Sequence, residues 1–449
     1  MSATVISETI TKDELKSRNG DSQLLIAIDG RVFDVTVWAS KHPGGQEILQ
    51  AVAGTDATDV FYAFHPPGCP HSACSKVLDR LPCVTKMESA NKSELQRDFE
   101  LLRNNANDIG LYSISLAYYC RIWAWLATIF GLSVILTLRA TSCTSVLMAS
   151  AVSALFLQQS AFVGHDSGHL SVTFSPTLDW AIGVVFGPLL TGLSISWWKH
   201  SHNLHHVETN DSERDPDIQH LPLFALSEKV IRNGGVYSYY HGKFMPLNSL
   251  AGRLVSHQHI LFLPVMFFAR FNLYAQGFLF FWSGKYRGPA WKGVVEVGAM
   301  LFHQLIVFLL VSSLPSAKLA VLWILATNGL AGILNLQITT SHFGQPVLDS
   351  NKITEFEDAP FLLHQLATTT DIDTTWNNSW FFGGLERQVA HHIFPRMPRK
   401  NLDDAAAMIK FMCRRHGVEY KSQPFGRALR EVFTALRRSA KVAKTRGQE

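Results

Sequence analysis

The first forty residues carry no apolar run, no small-residue cleavage site and no Arg-rich, acid-poor pattern, so no signal or transit peptide is expected to be removed. Cysteine is also sparse. The six residues Cys69, Cys74, Cys83, Cys120, Cys143 and Cys413 show no CxxC pair and no zinc-type spacing, which argues against a disulfide framework or a thiolate metal site and fits reduced cytosolic thiols. No GxGxxG follows a strand, so the dinucleotide-binding fingerprint is missing, and no internal repeat or low-complexity tract stands out. Charged residues make up only 17% of the 449, with a formal net charge of +4, which leaves no bulk argument for a nucleic-acid partner. With 47% hydrophobic and 11% aromatic content, the chain is too long for one ordinary domain and too apolar for a typical soluble one. A membrane-embedded body is expected.

Four stretches can be told apart. Residues 1–85 read as a small soluble α+β module: an alternating strand pair in LLIAIDG and RVFDVTVW, a turn at His42-Pro43-Gly44-Gly45, and helical segments broken by Pro66, Pro67, Gly68 and Pro70. Residues 86–110 read as a polar linker helix with Leu95, Phe99 and Leu102 at helical spacing. Residues 111–430 read as an all-α membrane domain and residues 431–449 as a basic tail.

In the membrane domain, apolar runs at 116–138 and 143–163 form one hairpin, and runs at 294–314 and 319–336, joined by PSAK, form a second. This makes four transmembrane helices, with interfacial helices and a cytosolic helical cap. The run at 180–195, with Gly183, Gly187, Pro188 and Gly192, must re-enter or lie in the interface if the histidine clusters on either side of it share one centre. The run at 260–282 is apolar enough to span but holds Arg270, Asn272 and Gln276, all costly at the bilayer centre, and is read as interfacial. From Arg396 to the end there are fourteen Lys or Arg against five Asp or Glu, which points to a cytosolic C-terminus, although a merely solvated tail explains that segment equally well on its own.

Three histidine clusters lie outside the apolar runs: His165 and His169 in HDSGH; His202, His205 and His206 in HNLHH; His391 and His392 in QVAHH. The i, i+4 and i, i+3, i+4 spacings put each of the first two sets on one helical face, and imidazole suits iron, copper or zinc. One such motif alone arises by chance as interfacial surface histidines. Three of them flanking two apolar hairpins indicate a shared metal site. In the first module, His42 beside Pro-Gly-Gly and His65 in AFHPP, 23 residues later, can clamp a haem iron from both faces, while for HPGG taken alone a surface turn is the favoured reading.

Over about the first eighty positions, RVFDVTVWASKHPGG and GTDATDVFYAFH resemble the cytochrome b5 family. The resemblance implies haem b, with His42 and His65 as axial ligands and no open iron position, hence electron carriage and not oxygen activation. Over about 110–430, HDSGH, HNLHH and QVAHHIFPRMPR resemble the three histidine boxes of membrane fatty-acid desaturases. Gln388 in place of the first histidine of the third box, together with the fused cytochrome b5 module, resembles the front-end class. Departures are Ala390 where Glu is frequent and NNSWFFGG where DWFHGG is frequent; they flank the ligands and bear on substrate and position more than on reaction type.

This resemblance implies two iron ions held by His165, His169, His202, His205, His206, His391 and His392, with dioxygen as co-substrate. Gln388 and His342, the latter in TTSHFGQP after the last span, are the additional candidate ligands. Electrons are expected from an NADH-dependent cytochrome b5 reductase through the haem. The implied reaction inserts a cis double bond between an existing one and the carboxyl end of a polyunsaturated acyl chain of a membrane lipid, with an endoplasmic reticulum location and both termini cytosolic. A sphingolipid long-chain-base desaturase, a lipid hydroxylase and a non-enzymatic haem electron carrier are the alternatives. His200, His220, His257, His259, His303 and His364 have weaker cases as ligands, and Gln337 and Trp376 are candidate tunnel residues.

Overall fold

The computed structural model describes residues 9–20, 22–66, 78–88, 91–348, 356, 359–375 and 377–447. The N-terminal module is built on a four-stranded sheet. Arg31–Asp34 pairs antiparallel with Leu25–Ile28 and with Cys83–Met87, and Thr9–Ile10 adds parallel to Cys83–Met87. Asp29 and Gly30 connect the first two strands with φ of 50° and 70°, as a type I′ hairpin turn requires. Ile26, Ile28, Phe33 and Val35 pack against the short helices Gln46–Ala51 and Thr58–Phe64, which present the His42 and His65 loops.

The sheet runs two residues past the expected boundary at 85, because Cys83–Met87 is a strand of which only Thr85 is buried, too weak an alternation to stand out. Pro67, Gly68, Pro70, Cys69 and Cys74 lie outside the described residues. The linker is the helix Glu94–Asp108, started by a reciprocal cap in which Ser93 Oγ accepts from Gln96 N and Gln96 Oε1 accepts from Ser93 N, each at 3.0 Å. Leu95, Phe99 and Leu102 are buried in the cap cluster, where each such side chain contributes about 1.5–3 kcal/mol.

Five helices among the described residues are long and apolar enough to cross a membrane: Leu116–Leu138, Cys143–Gly168, Gln258–Trp282, Ala290–Ser312 and Ala317–His342. Cys143–Gly168 is the most enclosed and packs against Leu116–Leu138 and Ala317–Ala331. Buried hydroxyls tie these helices together: Ser133 Oγ lies 2.6 Å from Ser153 Oγ, and Trp323 Nε1 donates to Thr137 Oγ1 at 3.0 Å. Pro176–Val184, continued by Val185–Leu189, folds back on Cys143–Gly168 and returns the chain to the first cluster, where Ile195–Val207 begins.

Gln258–Trp282 is tied to neighbouring segments at both ends. Gln258 Nε2 donates to the carbonyls of Ala225 and Leu436, and just past the other end Lys285 Nζ donates to the Tyr240 carbonyl. Its Arg270 is buried, donating to the Thr191 carbonyl at 2.5 Å and to Tyr274 Oη at 3.0 Å, so this charge faces protein and not lipid.

The expected boundary at 430 falls inside one continuous helix, Phe425–Arg446. Ala428, Val432, Leu436, Ala440 and Ala443 form its buried stripe, while Arg427, Arg430, Arg437, Arg438, Lys441 and Lys444 occupy the solvated face. The basic segment is therefore part of a helix packed on Gln258–Trp282 and Ile333–His342 and not a free tail.

Candidate metal centre

Four separate segments deliver imidazoles to one buried place. His165 and His169 close the helix Cys143–Gly168, His202, His205 and His206 lie on Ile195–Val207, His342 ends Ala317–His342, and Gln388, His391 and His392 lie on the short helix Gln388–Ile393. The ligand atoms of His165, His169, His202 and His391 all lie within 4.8 Å of one another, as do those of His205, His342 and His392. His206 sits between the two groups, its Nε2 3.1 Å from His202 Nε2 and its ring stacked on His392 at 4.1 Å between centroids. Gln388 Nε2 lies 3.1 Å from His342 Nε2 and 3.4 Å from His392 Nε2, so the amide belongs to the second group.

The ring nitrogens pointing away from this centre are pinned. His205 Nδ1 meets Asp215 Oδ2 at 2.8 Å, His202 Nδ1 meets Asp217 Oδ2 at 3.2 Å and His392 Nδ1 meets Gln365 Oε1 at 2.9 Å. Such outer partners fix tautomer and ring orientation. Other polar atoms of the cluster have no partner: Nε2 of His165, His205 and His391, Nδ1 of His206 and both nitrogens of His169 are buried without a hydrogen bond, as is Gln388 Oε1. Orphaned buried polar atoms cost about 1–3 kcal/mol each, and a cation shared among them removes that cost.

Burial, with the neighbouring imidazoles, holds His206, His391 and His392 well below the ordinary imidazole range, and burial outweighs Asp217 to bring His202 down to about 4. These rings are neutral and free to ligate. His205 behaves oppositely: burial opposes its charge, but Asp215 and Asp217 push it up to about 9. The carboxylates thus leave a negative charge that a proton or a metal ion neutralises.

The pair in the first module is separate. The His42 and His65 ring centroids are 6.4 Å apart, close to the roughly 6 Å expected when one metal is bound on opposite faces with metal–nitrogen bonds of about 2 Å. His42 Nδ1 lies 3.0 Å from the Gly45 carbonyl and His65 Nδ1 2.9 Å from the Phe61 carbonyl, which directs each Nε2 toward the gap. A Cβ on Gly44 would sit 2.8 Å from His42 Cε1, so glycine is needed for the ring to lie there.

Residues 141–424 match the family Fatty acid desaturase, and residues 11–88 match Cytochrome b5-like Heme/Steroid binding domain. The chain belongs to the fatty acid desaturase family. It is 33% identical to Delta(8)-fatty-acid desaturase 2 of Arabidopsis thaliana over 92% of this chain and 89% of that one. It is 31% identical to Acyl-lipid (9-3)-desaturase of Borago officinalis over 98% and 96%. It is 32% identical to Delta 8-(E)-sphingolipid desaturase of Kluyveromyces lactis over 82% and 64%. This desaturase is an oxidoreductase with a fused cytochrome b5 domain; its two family matches imply haem, iron and dioxygen.

Several residues of the desaturase site were not legible in its sequence. Asp215 and Asp217 lie in an acidic loop after the second cluster, and Gln365 and Thr209 reach His392 from elsewhere in the chain. The DPD triplet at 215–217, nine to eleven residues past His206, was the one available hint. Among the weaker histidines, His364 Nε2 bonds the Thr209 carbonyl at 2.7 Å, His200 faces Glu47, and His303 faces the Leu189 carbonyl; none joins the cluster. Gln337 is bonded to Gln158 and the Phe381 carbonyl, and Trp376 lies outside the described residues.

Proposed function

We propose that this chain is an oxygen-dependent front-end desaturase that inserts a cis double bond between an existing one and the carboxyl end of a polyunsaturated acyl chain, fed with electrons by its own cytochrome b5 domain. The carrying observation is the convergence of His165, His169, His202, His205, His206, His342, His391 and His392, with Gln388, on one buried centre where nitrogens of five of the rings have no hydrogen-bond partner. These residues would hold two irons, and His42 and His65 would hold haem b. Iron bound there supplies the dioxygen-derived oxidising power that an unactivated methylene requires.

The protein residues have distinct tasks. Asp215, Asp217 and Gln365 orient His205, His202 and His392. The enclosing helices exclude water and hold the acyl chain at a fixed depth. Four helices in two hairpins cross the membrane, and Gln258–Trp282 lies along its surface, a reading supported by the contacts of Gln258 and Lys285 with the cap. Both termini then lie in the cytosol on an endoplasmic reticulum membrane, consistent with the basic segment after Arg396, and an NADH-dependent cytochrome b5 reductase reduces the haem. The haem domain runs from the N-terminus to about residue 87, the linker helix follows, and the membrane domain with its cap takes the rest.

A sphingolipid long-chain-base substrate is the second reading, favoured by the likeness to the Kluyveromyces lactis enzyme. Expression in a yeast lacking such products, fed a panel of unsaturated acids with its sphingoid bases analysed in parallel, separates the two. A new double bond in acyl chains supports the first; an added oxygen in the lipid would replace desaturation by hydroxylation.

A further inference from the structure

The helix Thr58–Phe64 ends in the dipeptide Phe64-His65, whose rings serve two different centres. His65 faces His42, while Phe64 meets His206 edge-on, with centroids 6.3 Å apart and planes at 87°. His206 in turn lies 4.1 Å from His392 and 4.7 Å from both His169 and His391, centroid to centroid. Two further contacts hold this junction. Arg396, four residues after His392, donates from Nη1 to the Phe64 carbonyl at 3.0 Å, and Val207, next to His206, is buried in the core of the haem domain.

We propose that Phe64 is the contact through which electrons pass from the haem to the metal centre, with Arg396 and Val207 keeping it in register. This rests on the reading of His42 and His65 as haem ligands and of the chain as its own electron donor. Electronic coupling decays faster across a gap between molecules than along bonded atoms. The route from the His65 ring through the shared backbone to the Phe64 ring crosses one such gap, to His206. Each passage moves one electron: ferrous haem becomes ferric, and the histidine-held centre gains the electron. Two passages, with one dioxygen, two protons and two substrate hydrogens, balance one double bond and two waters.

The test uses the full-length protein, loaded with haem and iron in lipid nanodiscs. The haem is pre-reduced with NADH and a cytochrome b5 reductase, then mixed with dioxygen and an unsaturated acyl lipid while its absorbance is followed. Phe64→Leu is expected to slow substrate-triggered haem reoxidation by about tenfold or more, with the haem spectrum and its reduction by the reductase unchanged, while Phe64→Tyr stays within about twofold of wild type. Hydrogen exchange across Thr58–Phe64 in the metal-free protein reports docking without turnover, and Phe64→Leu should keep wild-type protection. Wild-type reoxidation in Phe64→Leu, equal slowing in Phe64→Tyr, or lost protection in Phe64→Leu would overturn the assignment to the ring. If substrate fails to reoxidise even the wild-type haem, the internal-donor reading falls first, and this inference with it.

Discussion

Arg399 Nε lies 2.8 Å from Asp166 Oδ2, which joins the segment after the third histidine cluster to the end of the helix carrying the first. Tyr119 Oη donates to the same carboxylate oxygen at 3.0 Å, and Arg399 Nη1 donates to the Gly383 carbonyl at 2.9 Å. Both charged side chains are almost fully enclosed. Breaking one partner of such a pair leaves a buried charge and costs about 3–5 kcal/mol. Arg399→Met should therefore lower the thermal unfolding midpoint and the iron retained per chain. Combining it with Asp166→Asn should cost less than the sum of the single changes, measured as unfolding in detergent.

His205→Ala removes one of three imidazoles in the second group and the partner of Asp215. Lipid conversion is expected to vanish and iron content to fall while haem absorbance stays intact. Unchanged conversion in a haem-replete His205→Ala protein would remove the histidine clusters from catalysis.

Asp215→Asn should act on metal retention and not on haem. It keeps the size of the group that orients His205 but removes its charge, and outer-shell changes of this kind cost about 10- to 100-fold in metal affinity. Dialysis against a graded series of chelator, with iron measured per chain, gives the shift. His303→Ala, outside the cluster, should retain wild-type iron.

His42→Ala should abolish the haem spectrum and NADH-driven turnover while leaving the membrane domain folded. Hydrogen-exchange protection of Cys143–Gly168 equal to wild type checks the second part. Full NADH-driven activity without haem would refute the internal donor.

The candidate ligand side chains were readable because their identity is the signal: imidazoles at i, i+3 and i+4, and a histidine beside Pro-Gly-Gly. His342 could be placed because it closes an apolar run. Asp215, Gln365 and Arg399 could not, since each acts through a partner distant in the chain and carries no pattern of its own. Phe425–Arg446 is a different case. Its apolar stripe of Ala428, Val432, Leu436 and Ala440 has plain helical spacing, but small alanines among many cations made the charge more conspicuous than the period.

Val207 gives the arrangement a consequence for stoichiometry. A residue of the second-cluster helix packs in the apolar core of the haem domain, so that core is incomplete without it. On the proposed internal-donor reading, every metal centre then owns a private electron source at fixed range. On that reading, thinning the enzyme out in its bilayer leaves the internal supply untouched, and the diffusive search for a donor is confined to the step that reduces the haem.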